Sequence, residues 1–253
     1  LNKVDVDSAN PLCGPLDSSD VRLDELTSAE FAQKIGPDAV VLLPVGALEE
    51  HGPHLPLGAD MMQPMHAIEA VARRTGAYIA PPIPYGVVPT TRPYPGTVGV
   101  GFDSLRAFVR DVLLDLERNG VRRVLIVSGH AASEHMAALR VAAKEVVDRG
   151  AMRITVLSDY DIIYDWKDLP PNEGHAGMLE TSRILAQRPE LVKGTAPAGR
   201  NEIPRHAILA DARPYWPGVT GDPSKATREL GEQLDGMVIE ELVRLVDELK
   251  GRS

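Results

Sequence analysis

Residues 39–76 read AVVLLPVGALEEHGPHLPLGADMMQPMHAIEAVARRTG. The run from Ala39 to Val45 is short and apolar, as expected of a buried strand, with Pro44 marking its end. The amphipathic stretch that starts after Asp60 predicts a helix, with Gly76 just past its end. Pro64 falls near the first turn, where a missing N–H costs little. Between strand and helix lies a loop fixed by Gly52, Pro53, Pro56 and Gly58.

The same alternation continues along the chain. AYIAPPIPYG reads as a strand entering a Pro-rich loop, and Val87 to Val100 carry no helical period, as in loops that cover a site, contact a partner or simply connect. Leu105, Phe108, Val109, Val112, Leu113 and Leu116 share one helical face. Asp103 and Ser104 are its N-cap candidates, and Asn119 and Gly120 end it. Arg122 to Gly129 predict a strand, Ser133 caps a helix through Asp148, and MRITVLSDY is a further strand. Helices follow near Gly177 to Gln187 and from about Ser224 to Lys250. Strands alternating with helices predict an α/β fold with a mainly parallel sheet, whose sites form at the carboxyl ends of the strands.

The chain has 253 residues, 43% hydrophobic and 25% charged, enough for one large domain. Residues 1–22 lack periodicity and read as an irregular lead-in, leaving 23–253 as the single domain. The net charge of −9 comes without a basic block, which argues against nucleic acid and anionic membranes as partners. No stretch approaches the ~18 apolar residues of a membrane span. A single cysteine, Cys13, and an opening segment without an apolar core lead to the expectation of a cytoplasmic protein.

Three clusters carry chemistry. In GALEEHGPHLPLGAD, Glu49 and His51 are two apart and point the same way from an extended backbone. With Asp60 at the next helix start they form a donor set suited to zinc, manganese or iron. Taken alone, an E-x-H triplet is commonly solvated surface; the rigid loop makes this one different. His54 either binds substrate or supports the loop, with support the favoured reading, and His135 is read as an exposed helix residue. His130 follows the strand of VSGH at its carboxyl end. In NEGHAGMLETS, His175 precedes a helix whose first turn holds Glu180, so both can face one cavity; a plain acidic helix start is the bland alternative.

Together GALEEHGPHLPLGAD, PGTVGV, VSGH, GHAGMLETS and PGVTGDPSKAT resemble the creatininase (creatinine amidohydrolase) family, in the family's order, from about Val40 to Thr227. The resemblance implies a three-layer α/β sandwich around two divalent ions (Zn, Mn or Fe) and a homo-oligomer, often a hexamer. It implies Glu49, His51, Asp60, His130 and Glu180 as metal ligands, with Asp60 bridging, and His175 as the catalytic histidine. Glu180 is either ligand or catalytic base. The implied activity is hydrolysis of a C–N bond in a small amide, cyclic amide or imide, or formamide, by a metal-activated water. Known directions in the family include creatinine ring opening, deformylation in archaeal flavin biosynthesis and peptide trimming in mycofactocin maturation.

Departures narrow the choice. Many members read N-G-H-G-G-N where this chain has Ser128 to Ser133. Creatininase itself carries an aromatic and then a metal-binding Glu after this histidine, where Ala131 and Ala132 stand here. Its tryptophan before the catalytic histidine is missing, since Pro170 and Pro171 occupy that region, and Trp166 is the nearest. Glu50 replaces the usual Gln of E-Q-H. The creatinine pocket is therefore not expected. Alternatives are a peptide-trimming hydrolase and a non-catalytic metal- or ligand-binding relative. A nucleotide-dependent enzyme is disfavoured by the lack of a Gly-rich phosphate loop after any strand.

Overall fold

A computed structural model describes residues 21–252. Cys13 and nearly all of the expected lead-in lie outside the described residues. Four strands, β1 (Val40–Val45), β2 (Tyr78–Ile79), β3 (Arg123–Ser128) and β4 (Arg153–Ser158), form one sheet in the order β2-β1-β3-β4. Every ladder is parallel; β1 runs from Val40 opposite Arg123 to Val45 opposite Ser128.

Alternate strand residues enter two separate cores. Val40, Leu42, Leu125 and Val127 face α2 (Ala59–Thr75), α6 (Met178–Gln187) and α7 (Arg228–Leu249). Val41, Leu43, Val45, Val124 and Ile126 face α3 (Phe102–Arg118) and α4 (Ser133–Val147). Helices on both faces of a parallel sheet make the three-layer sandwich that was expected, and explain why β1 is apolar at every position.

Pro44 continues the β1 ladder opposite Val127 instead of ending it. Its carbonyl accepts from Ile83 N–H, so its nitrogen faces the side where β2 has already stopped and no ladder bond is lost. Helix α2 includes Asp60 in its first turn and ends at Gly76, φ 68°. The residue before α3 is Gly101, which makes no side-chain cap, so Asp103 sits inside the first turn and not at the cap. Likewise Ser133 is the first residue of α4, after Ala132. Two short helices escaped the sequence reading. α1 (Ser28–Lys34) starts on a capping box between Thr27 and Glu30, and α5 (Asp159–Ile163) on one between Ser158 and Asp161. No described helix is long and apolar enough to cross a membrane.

Candidate metal centre

The loop leaving β1 carries Glu49 and His51, α2 brings Asp60, the end of β3 brings His130, and α6 brings Glu180. All five are at least nine-tenths buried. Close approach of these elements depends on Gly129, where a Cβ would lie 2.0 Å from the Asp60 carbonyl oxygen. Glycine there lets the first turn of α2 press against the end of β3 and puts Asp60 between the two imidazoles. Asp60 and Glu180 both sit in helix first turns, where the helix dipole favours an anion.

The donor atoms converge in two groups that share Asp60. In one, His130 Nδ1 lies 2.9 Å from Glu49 Oε1 and 3.0 Å from Asp60 Oδ2. In the other, His51 Nε2 lies 3.0 Å from Asp60 Oδ1 and 3.5 Å from Glu180 Oε2. Within each group the ligating atoms are all within 4.8 Å of one another; Glu49, His51 and His175 form a third such group.

The surrounding hydrogen bonds orient each ring. His51 Nδ1–H donates to the Glu49 carbonyl, 3.0 Å, which turns Nε2 toward the carboxylates. His130 Nε2–H donates to the Val87 carbonyl, 3.0 Å, which turns Nδ1 toward Glu49 and Asp60. Outer partners of this kind accompany metal-bound histidines. Thr91 donates its hydroxyl to Glu49, and Ala176 N–H donates to Glu180 Oε2 at 2.6 Å. Asp60 Oδ2 is buried and faces His130 Nδ1 at 3.0 Å, so its charge calls for a positive neighbour there, a proton on that imidazole or a metal ion.

Electrostatics point the same way. Burial alone would push His51 down, but Asp60, Glu180 and Glu49 outweigh it and raise it to about 10. His130 is likewise driven up by Glu49 and Asp60 against burial. Burial favours the neutral form of Asp60, yet His51 and His130 hold it below its ordinary value. Without ions, the three carboxylates draw protons onto the imidazoles. Divalent cations would supply that positive charge instead, so the donor set fits two ions sharing Asp60.

His175 packs on this centre. Its ring stacks on His51 with centroids 4.4 Å apart, and Nε2–H donates to the Glu50 carbonyl at 2.7 Å. Nδ1 lies 3.8 Å from Glu49 Oε1. Burial and His51 lower its affinity for a proton, while Glu50, Glu49 and Glu180 together raise it. The next residue, Ala176, has φ 53°, a conformation that costs a non-glycine residue about 1–3 kcal/mol. It is fully buried and aims its N–H at Glu180.

His54 is buried, with Nε2 2.9 Å from Thr181 Oγ1, which agrees with its reading as loop support. The expectation that His135 is exposed is overturned: its relative exposure is 0%. Its Nδ1 accepts from Val87 N–H at 3.2 Å, and Nε2 meets Ser128 Oγ at 3.1 Å. Burial and the neighbouring His130 push it down to about 3, so the ring is neutral and able to accept. Ser128 in turn donates to the His130 carbonyl, 2.7 Å. His135 thereby steadies both Val87 and the His130 segment.

The centre opens into a cavity of about 320 Å³, lined beyond the ligands by Ala131, Ala132, Tyr160, Tyr164, Asn201 and Trp216, among others. Trp216 was not foreseen. Its ring meets His175 edge-on, centroids 5.1 Å apart, and its Nε1 donates to Thr220 Oγ1 at 3.0 Å. An aromatic wall beside His175 is present after all, supplied by a loop 41 residues later rather than by the segment before it.

The family model described as Creatininase: Creatinine amidohydrolase matches residues 24–246. The chain belongs to the creatininase family. It is 31% identical over 242 residues to a creatinine amidohydrolase of Pseudomonas putida, covering 85% of this chain and 92% of that one. It is 30% identical over 210 residues to a mycofactocin precursor peptide peptidase of Mycolicibacterium smegmatis, covering 77% and 79%. A crystal structure of creatinine amidohydrolase superposes with a TM-score of 0.82 at 26% identity, over 90% of this chain and 97% of that one. A manganese creatininase (27% identity, 90% and 98% covered) and a Zn-Zn type variant (25%, 90% and 97%) each give 0.81.

Proposed function

We propose that this creatininase-family chain is a metal-dependent amidohydrolase that cleaves a C–N bond in a small amide, cyclic amide or imide, or formamide. The observation that carries the reading is the pair of buried groups, Glu49–Asp60–His130 and His51–Asp60–Glu180, built around one shared carboxylate. These residues would hold two divalent ions, with zinc and manganese favoured by the related structures. When bound, such ions lower the pKa of water toward ~7 and polarise a carbonyl.

The chain's own side chains then supply the rest. Hydrolysis adds the water oxygen to the carbonyl carbon, breaks the C–N bond and delivers a proton to the departing nitrogen. His175 is assigned that proton transfer. Its Nε2–H is held by the Glu50 carbonyl, so Nδ1 is the atom free to carry the proton. Glu180 is assigned to metal binding rather than to base catalysis, because Ala176 N–H fixes Oε2 beside His51. Glu49 is held by Thr91 and cannot swing without breaking that bond. Trp216, beside His175, would shield the reacting group from water on one side.

Ala131 and Ala132 face the cavity, so neither an aromatic side chain nor an extra carboxylate contributes there. Creatinine is accordingly expected to be a poor substrate. The small side chains also leave room for a larger amide, which, with the Mycolicibacterium relative, favours peptide trimming as the second reading. Tyr85, Val100 and Phe108 line an apolar groove outside the site, which supports a homo-oligomer, hexameric by family resemblance.

The test is a panel of small amides, imides, formamides and short peptides offered to protein reconstituted with Zn or Mn. Turnover of one of the small compounds, abolished by chelation, is the expected result. A creatinine kcat/KM at or above the common enzyme range of ~10⁴ M⁻¹s⁻¹ would overturn the substrate assignment. Cleavage of peptides alone would establish the second reading instead.

A further inference from the structure

Arg183 is fully buried in α6, three residues after Glu180. Its Nε donates to Asp235 Oδ1 of α7 at 2.7 Å and its Nη1 to Asp159 Oδ2 of α5 at 2.8 Å. Gln187 holds the other Asp235 oxygen at 2.8 Å. The guanidinium carbon lies 5.6 Å from the centroid of the Tyr160 ring. Tyr160 lines the cavity, and its hydroxyl donates to Gln63 Oε1 of α2 at 2.7 Å. Gln63 Nε2 reaches the carbonyl of Ala59, the residue before Asp60, at 3.3 Å. A continuous set of contacts therefore runs from the helix of Glu180, through α5, to the first turn that carries Asp60.

Stability is a weak reason for such a network. Buried ion pairs are often replaceable by apolar packing without loss, because removing the charges from water is costly. This one is also incompletely satisfied, with Arg183 Nη2 and Asp159 Oδ1 buried and unpartnered. What the planar guanidinium does uniquely is fix three helices at set angles through directed bonds.

We infer that Arg183 is a positioning residue: it ties α6 to α5 and α7 and, through Tyr160 and Gln63, sets the spacing of Glu180 from Asp60 and so the affinity of the ion they share. This rests on the metal-site reading above. Partners that touch metal ligands typically set affinity by 10–100-fold; Arg183 and Tyr160 stand one layer further out, so the lower end of that range, about 10-fold, is the effect to look for.

The experiment compares wild type with Arg183→Lys and Tyr160→Phe, each stripped of metal and titrated with Zn²⁺ against a chromogenic chelator, with melting temperature and far-UV circular dichroism on the same samples. Arg183→Lys keeps the charge and loses the fork; Tyr160→Phe removes one hydroxyl and leaves the packing. The expected result is about 10-fold weaker uptake of one ion in both variants, with helical content unchanged. Lower melting temperatures with unaltered zinc affinity would overturn the inference and leave Arg183 a packing residue. Should Arg183→Lys fail to fold, Tyr160→Phe alone decides on the same criterion. If wild type takes up no ion, the metal-site reading fails and this inference with it. If wild type binds and both variants bind equally, only the inference fails.

Discussion

The two faces of the sheet are built differently. Under α3 and α4 the core is apolar, with His135 the one buried polar side chain of those two helices. Under α2, α5, α6 and α7 the core also holds Gln63, Asp159, Arg183 and Asp235, each nearly or fully buried. Asp60 and Glu180 come from helices of this second face, while β1 and β3, shared by both, end in the loop of Glu49 and His51 and in His130. Polar burial is concentrated where helix positions must be exact, and the other face is left to cohesion. Apolar packing is non-directional, so it stabilises without choosing the angle between helices; hydrogen-bonded charges choose the angle at a cost in stability.

Asp60→Ala should break the polar face most completely. Both donor groups lose their common anion, and the two ions would then repel each other without it. Loss of bound metal together with loss of measurable turnover is expected, checked by elemental analysis and assay of one preparation. Retention of two ions would contradict the shared role. His175→Ala should be smaller and cleaner. General acid–base catalysis is worth about 10²–10⁴-fold in rate, so kcat should drop by that factor while metal content stays near wild type. A fully active variant, or one depleted of metal, would remove the role assigned to this imidazole.

A change on the apolar face sharpens the contrast. Leu139 is fully buried in α4 against β1 and β3 residues. Leu139→Ala should cost about 2–5 kcal/mol through lost burial and an unfilled cavity, measured by urea unfolding. Zinc affinity of the folded fraction should not move. A concurrent fall in affinity would mean that both faces set the spacing of the ligands.

Much of this division can be read from residue order. The strands and long helices follow from apolar periodicity, and Glu49, His51 and Asp60 lie within twelve residues of one another. His135 was legible too: it shares a helical stripe with Leu139, Ala142 and Val146, and its burial follows from that spacing. Its polarity hid the pattern. Trp216 and Arg183 could not be placed in this way. Trp216 belongs to a loop without period, and nothing in its type ties it to His175. Arg183 looks like a surface charge because its partners, Asp159 and Asp235, are 24 and 52 residues away.

The smallest effect is a proton count. In the ion-free chain, burial opposes protonation of His51, but Asp60, Glu180 and Glu49 prevail and raise it to about 10; His130 is raised for the same reason. Near neutral pH each ring then carries a proton on the nitrogen that faces the carboxylates. Coordination requires that lone pair, so metal uptake must expel the proton. Calorimetric titrations with Zn²⁺ in buffers of different ionisation enthalpy should report proton release, and affinity should rise with pH. Heats independent of the buffer would refute this. Linkage gives the matching stability curve. A folded-state value of about 10 against 6.5 means the stabilising contribution of His51 is complete below 6.5 and is lost as pH climbs through 10. Chelated protein should therefore weaken over that window. Leu139→Ala should lower the whole curve without changing its slope, because it touches no titrating group. A changed slope in that variant would show that the apolar face reaches the charges after all.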